Sequence, residues 1–150
     1  MDREISAYLV RLRRDHPFLA TLSLYMEYRF TREVPQFDTD GRIARIHPDY
    51  FARLDRDQRT GALLHLTLHS ALLHPLRCGP RIPEIWNIAT DLVVNAIIAE
   101  SRFQPPPETA VEPRYAKLSA EQIYRKLLES GRKVLLVSTP SKLPIVATQP

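Results

Sequence analysis

Leu63-Leu64-His65-Leu66-Thr67-Leu68-His69-Ser70-Ala71-Leu72-Leu73-His74-Pro75 is the stretch on which the reading of this chain turns. From Ala62 to Leu73 nearly every side chain is apolar, so a helix made of it must be buried on most sides. Asp55 supplies an N-cap and Gln58, three residues on, completes a capping box that satisfies free amide donors. The spacing predicts a helix from 55 to about His74, where Pro75 ends it. The polar residues inside this helix need a reason to be there. His65 and His69 are four apart and share one face, close enough for their imidazoles to hold one ion. His74 follows at the helix end.

The next helix is predicted from Glu84 to about Arg102, with Pro83 suited to its first turn. It too is strongly apolar, and its polar members Asn87, Asp91 and Asn95 recur every four residues on a single stripe. Two histidines from one helix and a carboxylate from the next make a three-ligand zinc site, with Asn87 and Asn95 orienting the ligands from behind. The competing reading is a purely structural polar network. It must explain a buried carboxylate, which costs several kcal/mol unless it is paired. The third ligand is Asp91 or His74. Asp91 is favoured because His74 precedes a proline that pushes its backbone out of helix. Cys78 is a weaker option.

Outside these helices, residues 2–28 read as one long or two short helices interrupted at His16-Pro17. Residues 28–47 change character: Phe30, Val34, Phe37, Ile43 and Ile46 sit among Asp38, Asp40 and Gly41, which predicts a β-hairpin or meander. A brief helical turn follows from His47 through Leu54. Residues 104–113 form a proline-rich loop, and Ser119 with Gln122 caps a last helix that ends near Gly131. The fold class is therefore α+β, mostly helical. Residues 1–132 make one domain, and 133–150 a tail that is either an added strand, at the apolar run 134–137, or disordered.

The chain has 150 residues, 44% of them hydrophobic and 25% charged, which excludes a disordered class and suits one domain with a sizeable core. It has no run of eighteen apolar residues, and its N-terminal residues are charged, so neither a membrane span nor a signal peptide is expected. A lone cysteine fits a cytoplasmic protein. The net charge of +4 raises a nucleic-acid reading. The arginines are dispersed, however, and no aromatics interleave with Arg11, Arg13 and Arg14 to form a stacking platform.

Taken together these residues resemble a bacterial family of metallopeptidase domains, the DUF2201 N-terminal type, over about residues 15–128. The family pattern is His-Glu-x-x-His, a further His often followed by Pro, an arginine-containing loop, and then Trp-Asn-Ile-Ala-x-Asp-x-x-x-Asn. Here His65, His69, His74 and Pro75 match the first part, and Arg77 and Arg81 supply the loop. Trp86-Asn87-Ile88-Ala89-Thr90-Asp91-Leu92-Val93-Val94-Asn95 matches the second part almost fully. His16-Pro17-Phe18-Leu19, Thr39-Asp40-Gly41 and Leu118-Ser119-Ala120-Glu121-Gln122-Ile123-Tyr124 look like further landmarks. The resemblance implies a zincin-like fold and zinc as the metal. It also implies partners among von Willebrand A-type proteins and MoxR-type AAA+ ATPases. The von Willebrand A half that follows such domains is not among these 150 residues.

One departure bears on function. The position after His65 is glutamate in the family and Leu66 here. In a zincin that glutamate takes a proton from the attacking water and passes it to the leaving amine, and losing such a base costs about 10²–10⁴-fold. The expectation is a degenerate metallopeptidase-like domain that binds zinc, has no catalytic residue at Leu66, and acts as a binding or regulatory module. The alternatives are an active zinc-dependent hydrolase with a substitute base, and a basic adaptor contacting nucleic acid.

Overall fold

A computed structural model describes residues 2–130. The predicted tail 133–150, with its apolar run 134–137, lies outside them. Seven α-helices, a 3₁₀ turn and a three-stranded sheet make up the described part, a mostly helical α+β arrangement. The first segment divides at His16 into α1 (Asp2–Asp15) and α2 (Pro17–Ser23). The helical reading of 2–28 runs too far, because chain from Glu27 to Phe30 is strand β1. Tyr28 and Phe30, alternating with Glu27 and Arg29, give it the period-two burial of a half-covered strand.

Of the expected hairpin or meander, the sheet contains the hairpin and adds a parallel strand. β2 (Phe37–Thr39) and β3 (Ile43–Ile46) form the antiparallel hairpin, closed by Asp40, whose Oδ1 accepts the backbone N–H groups of Arg42 and Ile43. β1 pairs in parallel with β3, so the order is β1-β3-β2 with β3 central. α3 (Pro48–Arg53) follows, its N-terminus capped by His47 Nδ1, which accepts from Asp49 N at 3.1 Å.

α4 (Arg56–Ala71) is the central element, and both bonds of its predicted capping box are made: Gln58 N donates to Asp55 Oδ1 at 2.8 Å and Asp55 N to Gln58 Oε1 at 3.0 Å. Every residue from Thr60 to Ser70 is buried, against α6 (Pro83–Glu100), α2 and β2. The expected stop at Pro75 is a second correction. α4 ends at Ala71, Leu73 turns left-handed at φ 56°, and Pro75 falls in the first turn of a separate short helix, α5 (His74–Arg77). Proline lacks an N–H that a first turn does not need, so it starts α5 rather than stopping α4. Beyond α6, a 3₁₀ turn (Pro113–Tyr115) leads to α7 (Ala120–Glu129), which carries the second capping box at Ser119 and Gln122 and packs on α6. Among the described residues no helix is long and apolar enough to cross a membrane.

Candidate metal centre

α4 and α6 cross so that the stripe of His65 and His69 faces the stripe of Asp91 and Asn95, and all four side chains have no exposed surface. His65 Nε2 and His69 Nε2 are 2.9 Å apart, and Asp91 Oδ1 is 3.1 Å from the first and 3.0 Å from the second. These three residues are the one group among the described residues whose ligand-type atoms converge.

The hydrogen bonds behind the triad fix which atoms it presents. Asn95 Nδ2 donates to the Ala110 carbonyl at 2.8 Å, so its Oδ1 is the atom that accepts from His65 Nδ1, at 2.9 Å. The proton of a neutral His65 is thereby held on Nδ1, and Nε2 turns a lone pair to the centre. His69 Nδ1 lies 3.0 Å from His74 Nδ1, and in the tautomer that frees Nε2 for a ligand its Nδ1–H donates to His74. Burial above all, followed by the charge of a neighbouring histidine, pushes His69 down to about 4 and His74 further still, so both stay neutral. Burial is also the largest influence on Asp91, and alone it would favour the acid form. Wherever an inward-facing imidazole nitrogen carries a proton, the hydrogen bonds and charge of His65 and then His69 outweigh it and hold the carboxyl well below the usual carboxylate range, so a positive charge at this point keeps Asp91 ionised.

Three acceptor atoms thus face a common point in a buried site, an arrangement a cation satisfies. A tetrahedral zinc with bonds of about 2.0–2.1 Å needs its ligand atoms about 3.3 Å apart. The observed 2.9–3.1 Å edges fall short by a few tenths of an ångström, and the residues fit a metal. Two imidazoles and a carboxylate suit zinc and also iron, so the donor set points to a divalent metal without selecting one.

The remaining predicted residues fall at different places. His74 sits behind His69 rather than beside the triad, its carbonyl accepting from Trp86 Nε1 at 2.9 Å. Asn87 is buried one turn before Asp91, and among the described residues no hydrogen bond joins its side chain to the triad. Cys78 is buried with Trp86 and Ala120, apart from the triad. Leu66 has no exposed surface and packs into the main core with Phe37 and Leu63.

Three supports escaped the sequence reading. Phe37 of β2 meets the His65 ring edge-on at 5.5 Å. The Ala110 carbonyl that orients Asn95 comes from the proline-rich loop and leaves no mark in the sequence. Gly61, one turn before His65 on the same stripe, lets that loop approach: a Cβ there would lie 1.8 Å from the Gln104 carbonyl oxygen. A glycine inside an apolar helix, costing about 1 kcal/mol against alanine, was the available signal.

A profile of the family described as "Putative metallopeptidase domain" matches residues 2–139. No curated protein and no solved structure matches the chain.

Proposed function

The chain belongs to the family described as putative metallopeptidase domain, and on that premise we propose that it is a degenerate member: a zinc-binding, zincin-like module without peptidase activity that serves in binding or regulation. One observation carries the reading: three ligand-type atoms converge in a fully buried site while the position next to His65 is a leucine locked in the core.

His65, His69 and Asp91 would hold the metal, Asn95 would keep His65 in the ligating tautomer, and His74 would do the same for His69. A bound zinc supplies Lewis-acid polarisation and acidifies water, and in a hydrolase it works with a carboxylate that moves the proton. Among the described residues no such further carboxylate lies beside the triad. Asp38 is engaged by Arg45. Glu121 accepts from Arg77 at 2.6 and 2.8 Å. Glu84 is exposed at the start of α6, and the hydroxyl of Thr67 bonds the Leu63 carbonyl on another face. The lack of exposed surface on all three ligands also suits a closed site better than a catalytic one, which keeps a position open.

The test is cleavage of an unstructured peptide by zinc-loaded protein with and without chelator. The unmodified chain should show no chelator-sensitive cleavage. Leu66→Glu should gain some, at a cost in stability, because a carboxylate there must be solvated or paired. Robust chelator-sensitive proteolysis by the unmodified chain would overturn the degenerate reading and favour a substitute base.

A further inference from the structure

At about 100° per residue, Arg56, Arg59, Thr60 and Leu63 lie on the side of α4 opposite His65 and His69. On that side a cavity of about 340 Å³ opens between α1, α3 and α4, lined by Tyr8, Arg11, Phe51, Arg56, Arg59 and Leu63 among others. Three guanidinium groups share this lining with a single carboxylate, Glu4.

The three arginines are not equivalent. Arg59 is satisfied: Nη1 donates to Glu4 Oε1 at 2.9 Å, Nε to the Phe51 carbonyl at 3.0 Å and Nη2 to the Ala52 carbonyl at 3.2 Å. Arg11 donates through Nη1 to Thr60 Oγ1 at 3.0 Å, but its buried Nε has no hydrogen-bond partner. Arg56 makes no ion pair and no side-chain hydrogen bond among the described residues. Glu4 therefore answers Arg59, and two neighbouring cations are left over in a partly desolvated cavity. Burial first, and then the charge of Arg56, holds the Arg11 guanidinium below its ordinary value. Arg14 adds to the effect, while Asp57 and Asp15 offset part of it. Donors of this kind, with a buried N–H still to be used, match an oxyanion, which arginine recognises through charge-assisted hydrogen bonds. The rest of the lining is the apolar Ala7, Phe51 and Leu63 with Tyr8 and Thr60, whose hydroxyls are already engaged by Ser23 and Arg11, so no second charge is provided for.

We propose that this cavity is a binding site for a small amphipathic oxyanion, whose charged head lies between Arg11 and Arg56 and whose apolar body lies along Ala7 and the hydrocarbon stems of the arginines, over the floor formed by Phe51 and Leu63. The site is separate from the metal centre, being on the other face of α4, and uses none of its residues.

Calorimetric titration of the purified chain with phenyl phosphate, benzoate and inorganic phosphate tests it. At least one of the two aryl anions should saturate a single site below about 1 mM, with inorganic phosphate at least about tenfold weaker because it lacks the body. Arg56→Gln leaves the fold alone, since that side chain is exposed in the first turn of α4, and should weaken the aryl anion about tenfold or more. Arg11→Gln should do the same. His65→Ala with His69→Ala should leave the affinity unchanged. Failure of both aryl anions to saturate, equal binding of inorganic phosphate, or full affinity in Arg56→Gln would each overturn the proposal.

Discussion

α4 carries two buried polar networks on different faces, and only one of them is complete by itself. Toward α1 and α2, Tyr8 OH meets Ser23 Oγ at 3.0 Å, Tyr28 OH meets Thr67 Oγ1 at 3.2 Å, and Ser23 and Thr67 each donate back to a helix carbonyl, those of Leu19 and Leu63. A hydroxyl both donates and accepts, so four hydroxyls can close on one another and on the backbone without any outside group. Toward α6, Asn95 draws the proton of His65 outward, His74 offers His69 the same arrangement, and the ring nitrogens Nε2 and the Asp91 carboxylate converge inward. The first network is the polar packing of a fold. The second is a cluster that could hold a metal ion. Similar burial with different proton bookkeeping separates structure from function.

The largest expected effect breaks the second network and spares the first. His65→Ala with His69→Ala should abolish metal-dependent stabilisation. At a metal concentration a thousandfold above Kd that stabilisation is about 4 kcal/mol, so chelator should lower the melting temperature of the wild type and leave the double variant unmoved. Thr67→Val should keep the wild-type response to chelator while losing about 1 kcal/mol or more of stability for the severed hydroxyl bonds. A chelator response lost in Thr67→Val and kept in the histidine variant would invert the assignment.

Next comes the orientation of His65. Asn95→Ala frees Nδ1 and should weaken metal affinity by about 10–100-fold, as loss of a ligand-orienting partner does, measured by competition with a chromophoric chelator. Gly61→Ala attacks the same bond from further off, because its Cβ would collide with the Gln104 carbonyl and push the loop carrying the Ala110 carbonyl outward. Overpacking of this kind costs about 1–3 kcal/mol, and a smaller drop in metal affinity should accompany it.

The smallest effects are on pH. In metal-free protein His69 is pushed down to about 4, against about 6.5 in an unfolded chain. The unfolded state therefore takes up a proton that the folded state refuses, and stability should fall as the pH drops from about 6.5 toward 4. Burial raises Tyr8 and Tyr28 above their ordinary value. The hydroxyl face should therefore lose stability only as the pH rises past about 10, where unfolded tyrosine ionises. Denaturant midpoints across both ranges give the two slopes, and a flat acid limb would contradict the neutral histidines.

The sequence showed what local rules control. Both capping boxes, the break at His16-Pro17 and the hairpin around Asp40 follow from side chains acting on their own backbone. Four-residue spacing brought His65, His69, Asp91 and Asn95 together on paper because helices repeat. Less legible were the features set by long-range packing. No local signal tells β1 to join β3 in parallel rather than extend a meander. Pro75 is read as a stop or a start only once Leu73 has turned left-handed. The supports contributed by Phe37, the Ala110 carbonyl and the clearance at Gly61 depend on chain brought in from elsewhere, so periodicity along α4 could not reveal them.

The central claim is that His65, His69 and Asp91 together hold one metal ion, and elemental analysis of the purified chain addresses it most directly. After equilibration with zinc and removal of the excess, plasma emission should give about one zinc per wild-type chain and none for His65→Ala with His69→Ala. Asp91→Ala should show a strongly reduced content while retaining its circular dichroism. A folded wild-type chain that emerges metal-free would contradict the account.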